Sequence, residues 1–169
     1  GLDMNFIAAH LCGGAAEAVD EFETEFIGDI LLHTETVGAV DVLCGAGSLK
    51  AEGEVNLGIL ALKGDGSPSS FERLVPFEVE IPCEEAAIGR GAEVRVSVLG
   101  ANIKADTDEE RGKCKITAEL TLGVEGCVYE EVTVDAVTDA FSRTHEIALS
   151  YETTSSTGAG ECKRITERV

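Results

Sequence analysis

The chain has 169 residues, 44% of them hydrophobic and 27% charged, which suits one globular domain with a core of its own and argues against wholesale disorder. With 32 acidic side chains against 13 basic ones, its net charge is −19. Nucleic acid and anionic membrane surfaces are therefore poor main partners, since both attract a basic face.

The first predicted element is an N-terminal arm, residues 1–19. MNFIAAHL (4–11) is apolar but too short to span a bilayer, and Gly13-Gly14 behind it reads as a flexible joint. No Lys or Arg precedes Lys50, so a signal-peptide n-region is not expected at this end. Residues 15–21 (AAEAVDE) could form a brief helical turn. The predicted domain spans 20–152. Its strand pattern starts at Phe22, where Phe22, Thr24 and Phe26 alternate with Glu23 and Glu25. Residues 35–44 continue it, with Val40, Val42 and Cys44 on one face. In 48–63 the inward set is Val55, Leu57, Ile59 and Ala61, and GDGSPSS (64–70) turns the chain into a hairpin with 71–82. Pro76 and Pro82 mark that partner as an edge strand.

Val94, Val96 and Val98 begin the next strand, 93–104, with a bulge expected at Gly100. DTDEERGK (106–113) is a charged hairpin tip. The clearest alternation follows, Cys114, Ile116, Ala118, Leu120, Leu122 and Val124, continuing through a second possible bulge at Gly126 to Val132. Residues 134–141 could make a helical turn, and 144–153 read as a last strand. Residues 153–169 form a C-terminal tail, in which TTSSTGAG leads to the small basic patch ECKRITERV. The sum is an all-β chain, an antiparallel β-sandwich or jelly roll of about seven or eight strands with extended N- and C-terminal arms. Aromatics are only 5% and Trp is absent, so the core is aliphatic.

Six cysteines are scattered at Cys12, Cys44, Cys83, Cys114, Cys127 and Cys162, with no C-x-x-C pair, so zinc-ribbon and thioredoxin patterns are missing. They can be small buried hydrophobes or can pair as disulfides. Cys44 and Cys114 share parity with apolar neighbours and are expected in the core, either packing or bridged. Cys12 and Cys162 lie on the arms, where a thiol gains nothing from packing. They are expected to link to another subunit, with Cys83 or Cys127 near strand ends as the receiving thiols.

His10 and Cys12 could ligate a metal together, but no second ligand cluster follows, and His33 and His145 read as structural. Asp106, Asp108, Glu109 and Glu110 lack calcium-loop spacing and read as a solvated tip. No hydrolase, zinc-protease or phosphate-loop motif occurs. The expectation is a non-enzyme without cofactor or metal. Residues 1–49 hold nine carboxylates and no Lys or Arg, while Lys163, Arg164 and Arg168 crowd the far end, so two copies are complementary in charge.

The segment from about 35 to 152 resembles the SPOCS domain of SipL-type clostridial spore-envelope proteins. The likeness is carried by the paired strands of 37–62, VPFEVEIP (75–82), the alternating strands at 94–104 and 114–124, and VDAVTDAFSRTHEI (134–147), where Phe141 stands at a position in which the family commonly has tyrosine. It implies a spore-coat scaffold domain that recruits another coat protein. The LysM module often joined to such domains is absent, so peptidoglycan binding is not implied. A cysteine on an arm at each end is similar in architecture to endospore appendage subunits, pilins joined by cysteine-bearing arms. The leading expectation is a self-assembling homo-oligomer, a helical polymer of an extracellular or spore-surface fibre or coat, joined by arm exchange and intersubunit disulfides. It has no nucleic-acid partner and no membrane insertion, with other spore-coat proteins as further partners.

Overall fold

The computed structural model describes residues 3–135. They form six strands: β1 (Asp3–Glu25), β2 (Ile27–Gly45), β3 (Ser48–Lys63), β4 (Pro68–Pro82), β5 (Gly91–Asp108) and β6 (Lys113–Asp135). There is no helix among the described residues. The strands make two antiparallel three-stranded sheets, ordered β1-β6-β5 and β2-β3-β4. β1 lies across from β4 and β2 across from β5, so the central strands β3 and β6 supply most of the buried surface between the sheets.

Period-two alternation decides which side of each strand is buried. On β6, Ile116, Ala118 and Leu122 are 0% exposed and Leu120 is 1%, while Glu119 and Thr121 are exposed and Thr117 is half-buried. Leu49, Val55 and Leu57 of β3 and Val75 and Ile81 of β4 meet them from the other sheet. Each of the Val, Leu and Ile side chains contributes about 1.5–3 kcal/mol by leaving water. A one-residue slip would expose the whole set, which pins the register.

The hairpins close where turn chemistry is strongest. Gly66 takes φ +86 in the β3–β4 turn, which a side chain would resist, and Asp65 Oδ1 accepts hydrogen bonds from Ser67 N and Oγ at 3.0 and 2.6 Å. These bonds, the side-chain one first, hold the Asp65 carboxyl below its usual pKa. Gly112 (φ +64) closes the β5–β6 tip, and the register shift between Val98 and Gly100 is the bulge expected there. Among the described residues β4 is an edge strand, as its prolines require.

Three expectations change. Residues 3–19 are not an arm: Asp3–Glu25 is one continuous strand, paired with β6 from Asp3↔Asp135 to Glu25↔Lys113. Residues 15–21 are strand and not a helical turn, because Ala16, Ala18 and Asp20 share the inward parity of Phe22. Gly126 is no bulge, since pairing runs through it to Cys12 on one side and Val94 on the other. Stretches that the pattern divided are therefore single long strands, and the described residues hold six of them, against seven or eight expected for the whole chain. The predicted strand 144–153, the tail 153–169 and most of the turn at 134–141 lie outside the described residues.

Candidate functional site

The densest chemistry gathers at one end of the β1–β4 seam. Cys12 faces inward from β1, and its thiol fills the niche left by the missing side chain of Gly126. A Cβ on Gly126 would lie 2.9 Å from Cys12 Sγ, 2.8 Å from Leu49 Cδ1 and 3.0 Å from Ile81 Cδ1. Two residues along β1, a Cβ on Gly14 would stand 3.0 Å from Ile81 Cγ2. Gly13-Gly14 is thus not a joint. Gly14 lets β1 approach β4 closely, and Gly126 leaves room for a thiol between the sheets.

Cys83 arrives from the other sheet, just past the end of β4. Its N–H donates to Gly47 O at 2.9 Å and its carbonyl accepts from Ala86 N at 3.0 Å, so the residue is held from both sides and is 3% exposed. Cys83 is close enough to Cys12 to act on its thiol. Burial first, then the interaction with Cys83 and the nearby Glu85 and Cys44 groups, push the Cys12 thiol up to about 12. Cys44, at the end of β2, is half-buried against the same core. Cys12, Cys44 and Cys83 are all free thiols.

A polar rim covers this end. His10 is Cys12's neighbour on the inward parity of β1. Its Nε2 donates to Glu130 Oε2 at 2.8 Å, and its Nδ1 lies 3.8 Å from Glu85 Oε1. Arg90 donates to the Glu85 carbonyl and, at 3.3 Å, to Glu130 Oε1. His10 is therefore engaged by carboxylates two residues beyond Cys83 and on β6. Among the described residues no group of three or more His, Cys, Asp or Glu is placed to hold a metal ion.

The remaining candidates are dispersed. Cys114 is a free thiol 1% exposed at the opposite end of the core, its pKa raised by burial. Cys127 is disulfide-bonded. Cys162 and His145 lie outside the described residues. Cys12 is not on an arm but within a paired strand, since its backbone is in register with Gly126. His33 Nδ1 contacts Glu35 on β2. Asp106, Asp108, Glu109 and Glu110 are exposed at the tip, where Asp108 Oδ1 accepts from Arg111 N at 3.3 Å. Part of the acidic first quarter is balanced within the chain: Asp20 by Arg73 at 2.7 Å, Glu21 by Lys115 at 2.6 Å and Glu23 by Arg111 at 3.9 Å.

Sequence reasoning missed Glu85, Arg90 and Glu130 and the purpose of Gly14 and Gly126. None has a motif, and all five acquire their roles through contacts across the fold. It also missed a shallow open groove of about 410 Å³ at Gly53, whose walls carry Asp41, Glu52, Glu54 and Glu78. Lys50 Nζ lies 2.7 Å from Glu78 Oε1 beside it. No helix among the described residues is long and apolar enough to cross a membrane. No family model, curated protein or solved structure matches the chain.

Proposed function

We propose that this chain is a structural subunit, a β-sandwich that assembles with copies of itself into a fibre or coat layer on a cell or spore surface. The observation that supports this best is the layout of the sheets. Among the described residues, β1, β5, β2 and β4 each pair on one side only, leaving rows of backbone donors and acceptors that a further strand can take up.

Strand exchange is the route we favour. Residues 3–14 pair with 124–135 in the same chain, and the same segment of a second copy fits the same register, so exchange remakes those contacts between copies. Cys12 of one copy then meets Cys83 of another, and a bond there would resist denaturant until reductant is added. The acidic β1 and the basic Lys163, Arg164 and Arg168, which lie outside the described residues, add charge complementarity. The likeness of 35–152 to a SPOCS domain supports a spore-envelope setting.

The test mixes a Cys12→Ser chain with a Cys83→Ser chain at rising concentration under mild oxidation. Exchange predicts a cross-linked dimer on non-reducing gels in the mixture and in neither chain alone, and negative-stain images of wild type should show polymers. Monomers at every concentration, with no mixed cross-link, would remove self-assembly and leave the scaffold that recruits another coat protein.

A further inference from the structure

We infer that Cys12 and Cys83 are a disulfide-forming pair within one chain, a modification site that ties sheet β1-β6-β5 to sheet β2-β3-β4 along the β1–β4 seam. The inference stands on placement and does not require self-assembly. Cys12 lies on β1 and Cys83 just past the end of β4. The contacts on either side bring the two together: a Cβ on Gly14, two residues past Cys12, would lie 3.0 Å from Ile81 Cγ2, two residues before Cys83, and His10 Nδ1, two residues before Cys12, lies 3.8 Å from Glu85 Oε1, two residues past Cys83. Sheets usually stack about 10 Å apart, too far for a bridge whose Cα atoms must come within roughly 4.4–6.8 Å. At this seam a Cβ on Gly14 or on Gly126 would stand 3.0 Å from an Ile81 side-chain carbon, so the missing side chains leave the room that a close approach needs.

The co-reactant is a small disulfide such as oxidised glutathione. Cys12 is half-buried and Cys83 is 3% exposed, so the reagent reaches Cys12 first. The Cys12 thiol loses its proton, and the thiolate attacks one sulfur of the small disulfide. The S–S bond breaks, and the released thiolate takes up a proton. Cys83, deprotonated in turn, attacks the Cys12 sulfur of the mixed disulfide and expels the second small thiol. Two protein thiols are oxidised and one small disulfide is reduced to two thiols.

Ionisation of Cys12 limits the first step. The groups that face it are Cys83 and Glu85 from the β4–β5 loop, Cys44 from β2, Glu130 of β6 through His10, and His10 itself. With the thiol pushed up to about 12, bond formation is slow at neutral pH and rises about tenfold per pH unit as the thiolate fraction grows.

The experiment treats dilute wild-type chain with oxidised glutathione across pH 7–9. It follows free thiols by maleimide labelling and maps linked peptides by mass spectrometry. The expected result is a monomer that loses two maleimide-reactive thiols, carries a Cys12–Cys83 linked peptide, and forms it faster as pH rises. Cys44→Ser keeps the bond and Cys83→Ala abolishes it. Peptide mapping of wild type alone decides the matter if Cys83→Ala fails to fold. Persistent mixed disulfide with glutathione, a Cys12–Cys44 bond in place of Cys12–Cys83, or a link only between chains would each overturn the proposal. Failure of polymers to appear in the strand-exchange test would not affect it.

Discussion

The two ends of the β1–β4 seam are closed by different chemistry. At one end Phe22 of β1 meets Phe71 of β4 edge-on, with ring centres 6.0 Å apart, and Arg73 lies 4.8 Å over the Phe22 ring while its Nε donates to Asp20 at 2.7 Å. At the other, Gly14 and Gly126 leave room for Ile81 and the Cys12 thiol between the sheets, with Cys83 close by. The first closure is partly exposed and charged, since the long Arg73 side chain reaches across the gap over an aromatic pair. The second is tight and apolar, and its free energy depends on shape. Only the second can become covalent. One edge-to-edge seam therefore combines a screened electrostatic clamp with a packed joint sensitive to single atoms and to redox state.

The largest effect should come from emptying the tight end. Ile81, 2% exposed, loses its packing against Gly14 and Gly126 when cut to alanine, and Ile81→Ala is expected to cost about 2–5 kcal/mol in denaturant unfolding. A loss well under 1 kcal/mol would mean that this end collapses freely and is not tightly packed.

Overfilling the same end comes next. Gly126→Ala places a methyl 2.8–3.0 Å from Leu49, Cys12 and Ile81, and a cost of about 1–3 kcal/mol follows from forced displacement. Gly14→Ala meets only Ile81 at that distance and should cost less. Equal stability of wild type and Gly126→Ala would show that the thiol niche is not tight.

A pH series separates the ends further. The folded-state Cys12 pKa, raised to about 12 from an ordinary 9.0, means that the folded state favours the neutral thiol. That contribution is fully present below pH 9 and is lost as pH rises from 9 toward 12, because the unfolded thiol ionises first. Stability of the reduced wild type should fall over that window, and Cys12→Ala should flatten the fall. A parallel decline in both proteins would assign the alkaline loss elsewhere.

The smallest effect belongs to the charged end. The Arg73 guanidinium is raised in pKa by its hydrogen bond to Asp20 but is solvent-facing, so Arg73→Gln should destabilise only slightly. The difference from wild type should shrink in molar salt as the ion pair is screened. A large, salt-independent loss would instead assign the clamp to packing of the Arg73 stem on Phe22.

Much of the fold was legible because alternation is local. Ile116 to Val124 announced a strand and its buried face, and Asp65-Gly66 announced a hairpin, each through neighbours a few residues apart. Residues 3–14 were misread as an arm because an apolar stretch before two glycines looks the same whether it is free or paired with 124–135. Of the site, the sequence singled out Cys12, Cys83 and His10, but nothing local showed that they converge within one chain. Glu85, Arg90 and Glu130 carried no signal, since a surface glutamate acquires a role only from what lies opposite it.

Composition and period alone determined an acidic all-β chain with an aliphatic core, prolines at a sheet edge and glycines at its turns, because these follow from side-chain parity and backbone dihedrals within short stretches. Only the tertiary structure decided that β1 pairs with β6 along its full length and that Gly14 and Gly126 are spacers. It alone brought Cys12 to Cys83, 71 positions along the chain. The first joins strands far apart in sequence within one sheet, and the others depend on how the two layers stack, properties that no single strand encodes.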